Sequence, residues 1–142
     1  MIAYFDTSAV VPLVVEEEGT ARCEEQWTLA DRIVSVRLLE VETRAALAQA
    51  ARQGRLSARG LRTAVDSLGV LLSQLDFVTV DVPLVRVAGD LAETQALRAY
   101  DAIHLAAALE VADTDLVLVA GDQALLHAAA VMGLTTASTT GP

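Results

Sequence analysis

No lysine occurs among the 142 residues; all ten basic side chains are arginines. The chain therefore lacks the ammonium group with which phosphoaspartate enzymes neutralise a phosphoryl group. A single cysteine, Cys23, excludes an intrachain disulfide and a cysteine-based zinc site, and its place in an expected surface helix marks it as a bystander. Positive charge is scarce overall: the formal net charge of −9 argues against a passive electrostatic binder of nucleic acid. No apolar run approaches the length needed to cross a bilayer, and no basic segment with a cleavage site opens the chain. A cytoplasmic protein without membrane attachment is expected.

What is present is apolar material in short pieces. Hydrophobic residues make up 54% of the chain and the mean hydropathy is +0.45. Alanine and leucine dominate, and the runs are broken by charges or glycine. The length suits one domain over 1–142. Residues 2–5 read as a strand, with Thr7 or Ser8 capping a following helix. A short helix over 19–30 and a strand at 33–36 come next, then a long helix over 38–52. Gly54 is placed to end that helix and Ser57 to cap the next, which runs to about 75. Residues 77–80 form a strand, and Pro83 opens a helix reaching the mid-nineties. Residues 101–111 are helical, 116–120 a strand, 123–132 a helix stopped by Gly133, and 134–137 an edge strand.

Short apolar strands alternating with helices predict an α/β fold: a three-layer α/β/α sandwich around a central, mainly parallel sheet. Ligands of such sheets bind outside the carboxyl ends of the strands, where Asp6 and Asp122 fall. On the helix over 38–52, Leu38, Val41, Ala45 and Ala46 share a face with Glu42 near its centre. Glu40 lies opposite, where Arg44 offers an i,i+4 ion pair. On the helix from 101, Asp101 shares a face with Leu105, Ala108 and Ala112, while Glu110 points away. Capping is the plain alternative for Asp101 and Asp122. Two carboxylates about 4 Å apart repel by roughly 4 kcal/mol at an effective dielectric of 20. Asp6, Glu42, Asp101 and Asp122 brought together thus call for a hard cation such as Mg²⁺ or Mn²⁺. Such a site does metal-dependent phosphoryl chemistry; these residues alone do not choose the substrate.

The segments YFDTSAVVPLVVEE, LLEVETRAAL, LRAYDAIHLAAAL and VLVAGDQALLHAA, in this order and spacing, resemble the PIN-domain ribonucleases, specifically the VapC-type toxins of bacterial toxin–antitoxin pairs. The resemblance covers nearly the whole chain. It places Asp6, Glu42, Asp101 and Asp122 at the four family acids and Ser8 at the hydroxyl residue that helps order the site. It implies a PIN-like fold and a Mg²⁺- or Mn²⁺-dependent endoribonuclease cutting structured RNA such as transfer RNA, leaving 5′-phosphate and 3′-hydroxyl ends. It also implies a homodimer and a cognate antitoxin of VapB type whose tail blocks the acidic site. One departure stands out: many relatives carry Thr or Ser two residues before the fourth acid, and here that residue is Ala120. The nearby Asp113 and Asp115 belong to a solvated turn.

Arg44, Arg52, Arg55, Arg59 and Arg62 occur with no acid among them and offer a path for RNA or a surface for the antitoxin, or simply a solvated hairpin; Arg98 is the other candidate. His104, one turn after Asp101, supports the site or packs in the core, and His127 is structural or exposed. Trp27 with Leu29 forms either an apolar groove for a partner helix or ordinary core. Two other functions fit the acids less well. A receiver or phosphatase working through phosphoaspartate meets the missing lysine and the absent second aspartate after Asp6. A non-catalytic PIN-like binding module meets the full set of four acids.

Overall fold

The computed structural model describes residues 1–112 and 114–141. Twelve elements follow the expected alternation: β1 (Ile2–Phe5), α1 (Thr7–Val14), α2 (Thr20–Leu29), β2 (Arg32–Val36), α3 (Leu38–Arg52), α4 (Ala58–Leu72), β3 (Asp76–Val78), α5 (Val82–Thr94), α6 (Ala99–Glu110), β4 (Leu116–Ala120), α7 (Gln123–Val131) and β5 (Thr135–Ser138). All five strands are parallel, in the order β3-β2-β1-β4-β5.

Strand alternation builds the two outer layers. Tyr4, Val34, Val36, Leu116, Leu118 and Ala120 face one core, closed by α5, α6 and α7 through Leu84, Leu91, Leu105 and Leu125. Ala3, Phe5, Ile33 and Val119 face the other, closed by α1 to α4 through Val10, Cys23, Leu39 and Leu68. Sheet order runs one way from β1 through β2 to β3 and the other way from β4 to β5. The crevice at the carboxyl ends of β1 and β4 is therefore the topological switch point, the favoured ligand site of an open parallel sheet. Asp6 follows β1 directly and Asp122 stands two residues beyond β4.

Several boundaries differ from the sequence expectation. Asp6, not Thr7 or Ser8, holds the N-cap position of α1, without a capping bond from its side chain. The strand expected at 77–80 stops at Val78 because its neighbour β2 ends at Val36, the last paired position; Asp81 then caps α5 on the Leu84 N–H. Helix α4 ends at Leu72, and Leu75 enters the core as loop. Ala112 lies beyond α6 and shares no helix face with Asp101. Gly54 does end its helix, with φ of 77°, a conformation that glycine adopts without a Cβ penalty.

Helix α3 buries Leu39, Thr43, Leu47 and Ala50 rather than the face expected from its alanines; Val41 is 58% exposed. Glu42 thus lies on the edge of the buried stripe, not at its centre. Glu40 is exposed as expected.

Candidate functional site

Asp6 is buried, only 3% exposed, at the end of the central strand. The Ser8 hydroxyl donates to its Oδ1 at 2.6 Å, and the same Ser8 oxygen accepts the Gly121 N–H at 2.7 Å. Ser8 therefore ties the first acid to the β4–α7 turn that carries the fourth. Gly121 has no room for a side chain: a Cβ there would stand 2.7 Å from the Thr139 hydroxyl oxygen. Asp122 caps α7 through its Oδ1, which accepts the Leu125 N–H at 2.9 Å.

Arg98, itself 80% exposed, reaches back over this end of the sheet. Its Nε donates to Asp101 Oδ2 at 2.9 Å and its Nη2 to Asp122 Oδ2 at 3.1 Å. Asp101 lies in the first turn of α6, near the positive end of the helix, rather than at its N-cap, which is Arg98. The plain alternative thus holds for Asp122 as an N-cap, and for Asp101 as a first-turn charge at the positive end of the helix rather than as the cap itself. The third cluster is buried deeper. His104 Nε2 meets Glu42 Oε1 at 3.0 Å, and its Nδ1 meets the Tyr4 hydroxyl at 2.9 Å. Tyr4 and His104 also stack edge to face, with ring centroids 5.8 Å apart.

The three clusters share one electrostatic environment. The Asp6 carboxyl is raised to about 6, first by burial and further by the charges of Asp101 and Glu42, with His104 and the Ser8 hydroxyl pulling the other way. Burial likewise raises the Tyr4 phenol above its ordinary range. An excess of negative charge at a sheet end is an arrangement that anionic substrates enter only with a cation.

A family model of the PIN domain matches residues 3–131. Ribonuclease VapC45 of Mycobacterium tuberculosis (strain CDC 1551 / Oshkosh) is 38% identical over 124 residues, spanning 87% of this chain and 86% of that protein. The chain belongs to the PIN-domain family, in its VapC branch. The fold agrees with the crystal structure of Mycobacterium tuberculosis VapC20, described as a sarcin–ricin loop cleaving toxin: TM-score 0.69, 15% identity, 94% of this chain and 96% of that one. A toxin–antitoxin complex from Klebsiella pneumoniae gives a TM-score of 0.68 at 16% identity, covering 99% of both chains.

In this PIN domain the sequence-predicted acids take up two arrangements. Asp101 and Asp122 are joined by one guanidinium, and Glu42 is joined to an imidazole. The expectation was of bare carboxylates around an ion; among the described residues no three His, Cys, Asp or Glu side chains are drawn together closely enough to hold one. The donor chemistry still suits a hard divalent cation: carboxylates supply only oxygen ligands, and burial raises the Asp6 carboxyl to about 6. Arg98 occupies the space between two of those acids.

Elsewhere the VapC-type chain resolves the open alternatives. Trp27 packs edge to face on Phe5 at 5.3 Å, joining the core, while Leu29 is 59% exposed. Cys23 is fully buried, although a surface helix was expected to carry it. His127 is exposed on α7 and Asp115 exposed before β4, while Asp113 lies outside the described residues. Arg44, Arg52, Arg55, Arg59 and Arg62 are all exposed on the α3–α4 hairpin, and Arg44 and Arg62 flank one groove over Ala48, Leu61 and Val65. Ala120 is fully buried and brings no hydroxyl to the turn; the Gly121 N–H that follows it is bonded by Ser8, the family's other hydroxyl position. Sequence reasoning missed Tyr4 and Thr139. Tyr4 reads as one more apolar strand residue, and nothing around Thr139 marks it.

Proposed function

We propose that this chain is an endoribonuclease toxin that hydrolyses phosphodiester bonds in structured RNA, with transfer RNA as the first substrate to test. The observation that supports the reading is a buried acid at the switch point: the Asp6 carboxyl is raised first by burial and further by the charges of Asp101 and Glu42, and Arg98 bridges Asp101 and Asp122. Asp6, Glu42, Asp101 and Asp122 would hold a divalent ion, Mg²⁺ or Mn²⁺, which when bound supplies an acidified water and charge stabilisation at the phosphate. The chain's own residues do the placing. Ser8 holds Asp6 against the Gly121 amide, and α7 holds Asp122 at its N-cap. Arg98, long and exposed, pairs with Asp101 and Asp122; were a divalent ion to take those acids, its guanidinium would be free to meet a substrate phosphate. Cleavage leaves 5′-phosphate and 3′-hydroxyl ends without a nucleophilic side chain.

The Klebsiella pneumoniae neighbour is a toxin–antitoxin complex. Its fold match and the four acids support a VapB-type antitoxin partner that covers this acidic site in the cytoplasm, with the toxin folded as a single domain and paired as a homodimer. Asp6→Asn should lower RNA cleavage at least about 100-fold, the scale on which one element of an electrostatic site is lost, and should relieve growth inhibition. Cleavage by the Asn variant at the wild-type rate, or in excess chelator, rejects the proposal. A folded wild type that cuts neither transfer RNA nor ribosomal loops favours the non-catalytic binding module, for which the Arg98 bridge is the supporting observation.

A further inference from the structure

We infer that His104 is a positioning residue: its imidazole, oriented by the Tyr4 hydroxyl, holds Glu42 in place for the ribonuclease reaction. The inference rests on the nuclease reading for its purpose but on separate geometry for its content.

His104 is 1% exposed, on a helix that also buries Ala102, Leu105, Ala106, Ala107 and Ala108. A leucine would fill such a space without desolvating two ring nitrogens, so packing alone does not account for an imidazole here. Both nitrogens are used, one on Tyr4 and one on Glu42. These contacts link three elements that each bring an acid. Tyr4 stands two residues before Asp6 on β1, His104 three residues after Asp101 on α6, and Glu42 on α3. The other acids have holders of their own: Ser8 for Asp6, and Arg98 for Asp101 and Asp122. Glu42, whose side chain is 18% exposed, is held by His104.

Donor and acceptor chemistry sets the direction of the chain. An ionised carboxylate only accepts, so the Nε2 bonded to Glu42 carries the hydrogen. In the neutral ring Nδ1 is then an acceptor, and the Tyr4 O–H donates to it. A histidine that orients a ligating group through one nitrogen, with its tautomer fixed at the other, is a recurrent way of stiffening a metal site.

The test reads the ring before it reads activity. In the metal-free protein, ¹⁵N–¹H correlation of the histidine rings should show a hydrogen on His104 Nε2, the nitrogen that meets Glu42. Tyr4→Phe, which keeps the ring and removes the hydroxyl, should give mixed tautomers, and Glu42→Gln should shift the Nε2–H signal. Mn²⁺ binding should weaken about 10–100-fold in His104→Leu and recover largely in His104→Gln, which keeps a donor near Nε2. In RNA cleavage His104→Leu should lower kcat and leave KM unchanged. A wild-type ring without a hydrogen on Nε2, a ring indifferent to Glu42→Gln, or wild-type Mn²⁺ affinity in a folded His104→Leu overturns the inference. A wild type that shows the expected tautomer but neither binds Mn²⁺ nor cuts RNA rejects the nuclease reading instead, and with it the purpose given to His104.

Discussion

At the scale of one residue, Asp6 carries a charge that its surroundings resist. Its carboxyl is raised from 3.8 to about 6, with burial as the main cause. The folded chain therefore binds this proton more tightly than the unfolded chain does. Stability falls as pH rises from about 4 through 6, and the loss is complete above that window. A shift of this size corresponds to about 3 kcal/mol, at about 1.4 kcal/mol per pH unit. Asparagine has the same shape, still accepts from Ser8 and has no charge to desolvate. In chelator at pH 8, Asp6→Asn should unfold at higher urea than the wild type by a margin of that order, and at pH 3.5 the two should unfold together. A variant less stable than wild type at pH 8 would mean that the charge is compensated in the folded chain. The residue that the proposed chemistry most needs is thus the one whose removal most helps the metal-free fold.

At the scale of elements, α3 shows what a sequence can and cannot reveal. Its ends at Leu38 and Arg52 are legible because a strand precedes it, strong helix formers fill it and Gly54 follows. Its facing is not. Alanine distinguishes poorly between inside and outside, and the buried stripe contains a polar residue, Thr43, that pattern reading assigns to the surface. The acids Asp6 and Asp122 were placed by strand ends alone, a strong signal in a parallel sheet. Arg98 as a bridge and Tyr4 as a partner of His104 required contacts between α6 and residues 24 and 100 positions away, which no periodicity encodes. Thr43 also allows a test of α3. Its hydroxyl is buried without a hydrogen-bond partner among the described residues. Thr43→Val removes that orphan and keeps the branched shape, so the midpoint of chemical unfolding should rise, by about 1 kcal/mol in stability. Because Thr43 faces the core and not the acids, RNA cleavage should be unchanged. A destabilised variant would show that the hydroxyl has a partner in solution.

At the scale of the whole molecule, a chain of net charge −9 must approach a polyanion. Long-range electrostatics oppose that encounter, so positive charge has to be concentrated where RNA would lie. The α3–α4 hairpin concentrates it: five of the ten arginines are exposed there, and Arg44 is two residues from Glu42 in sequence. The groove flanked by Arg44 and Arg62 has an apolar floor and a single acid, Asp66, on its rim. If RNA follows this groove, each arginine neutralises a phosphate and releases its counterion. Arg44→Ala with Arg62→Ala should then raise KM for RNA while kcat holds. The slope of log affinity against log salt should flatten by about 0.7 per lost contact on single-stranded segments. Measuring sedimentation of the same variant separates the two uses of the hairpin. An unchanged KM together with a dimer dissociated at concentrations where the wild type stays paired would assign these arginines to the contact between subunits, and RNA would have to reach the acids from the Arg98 side.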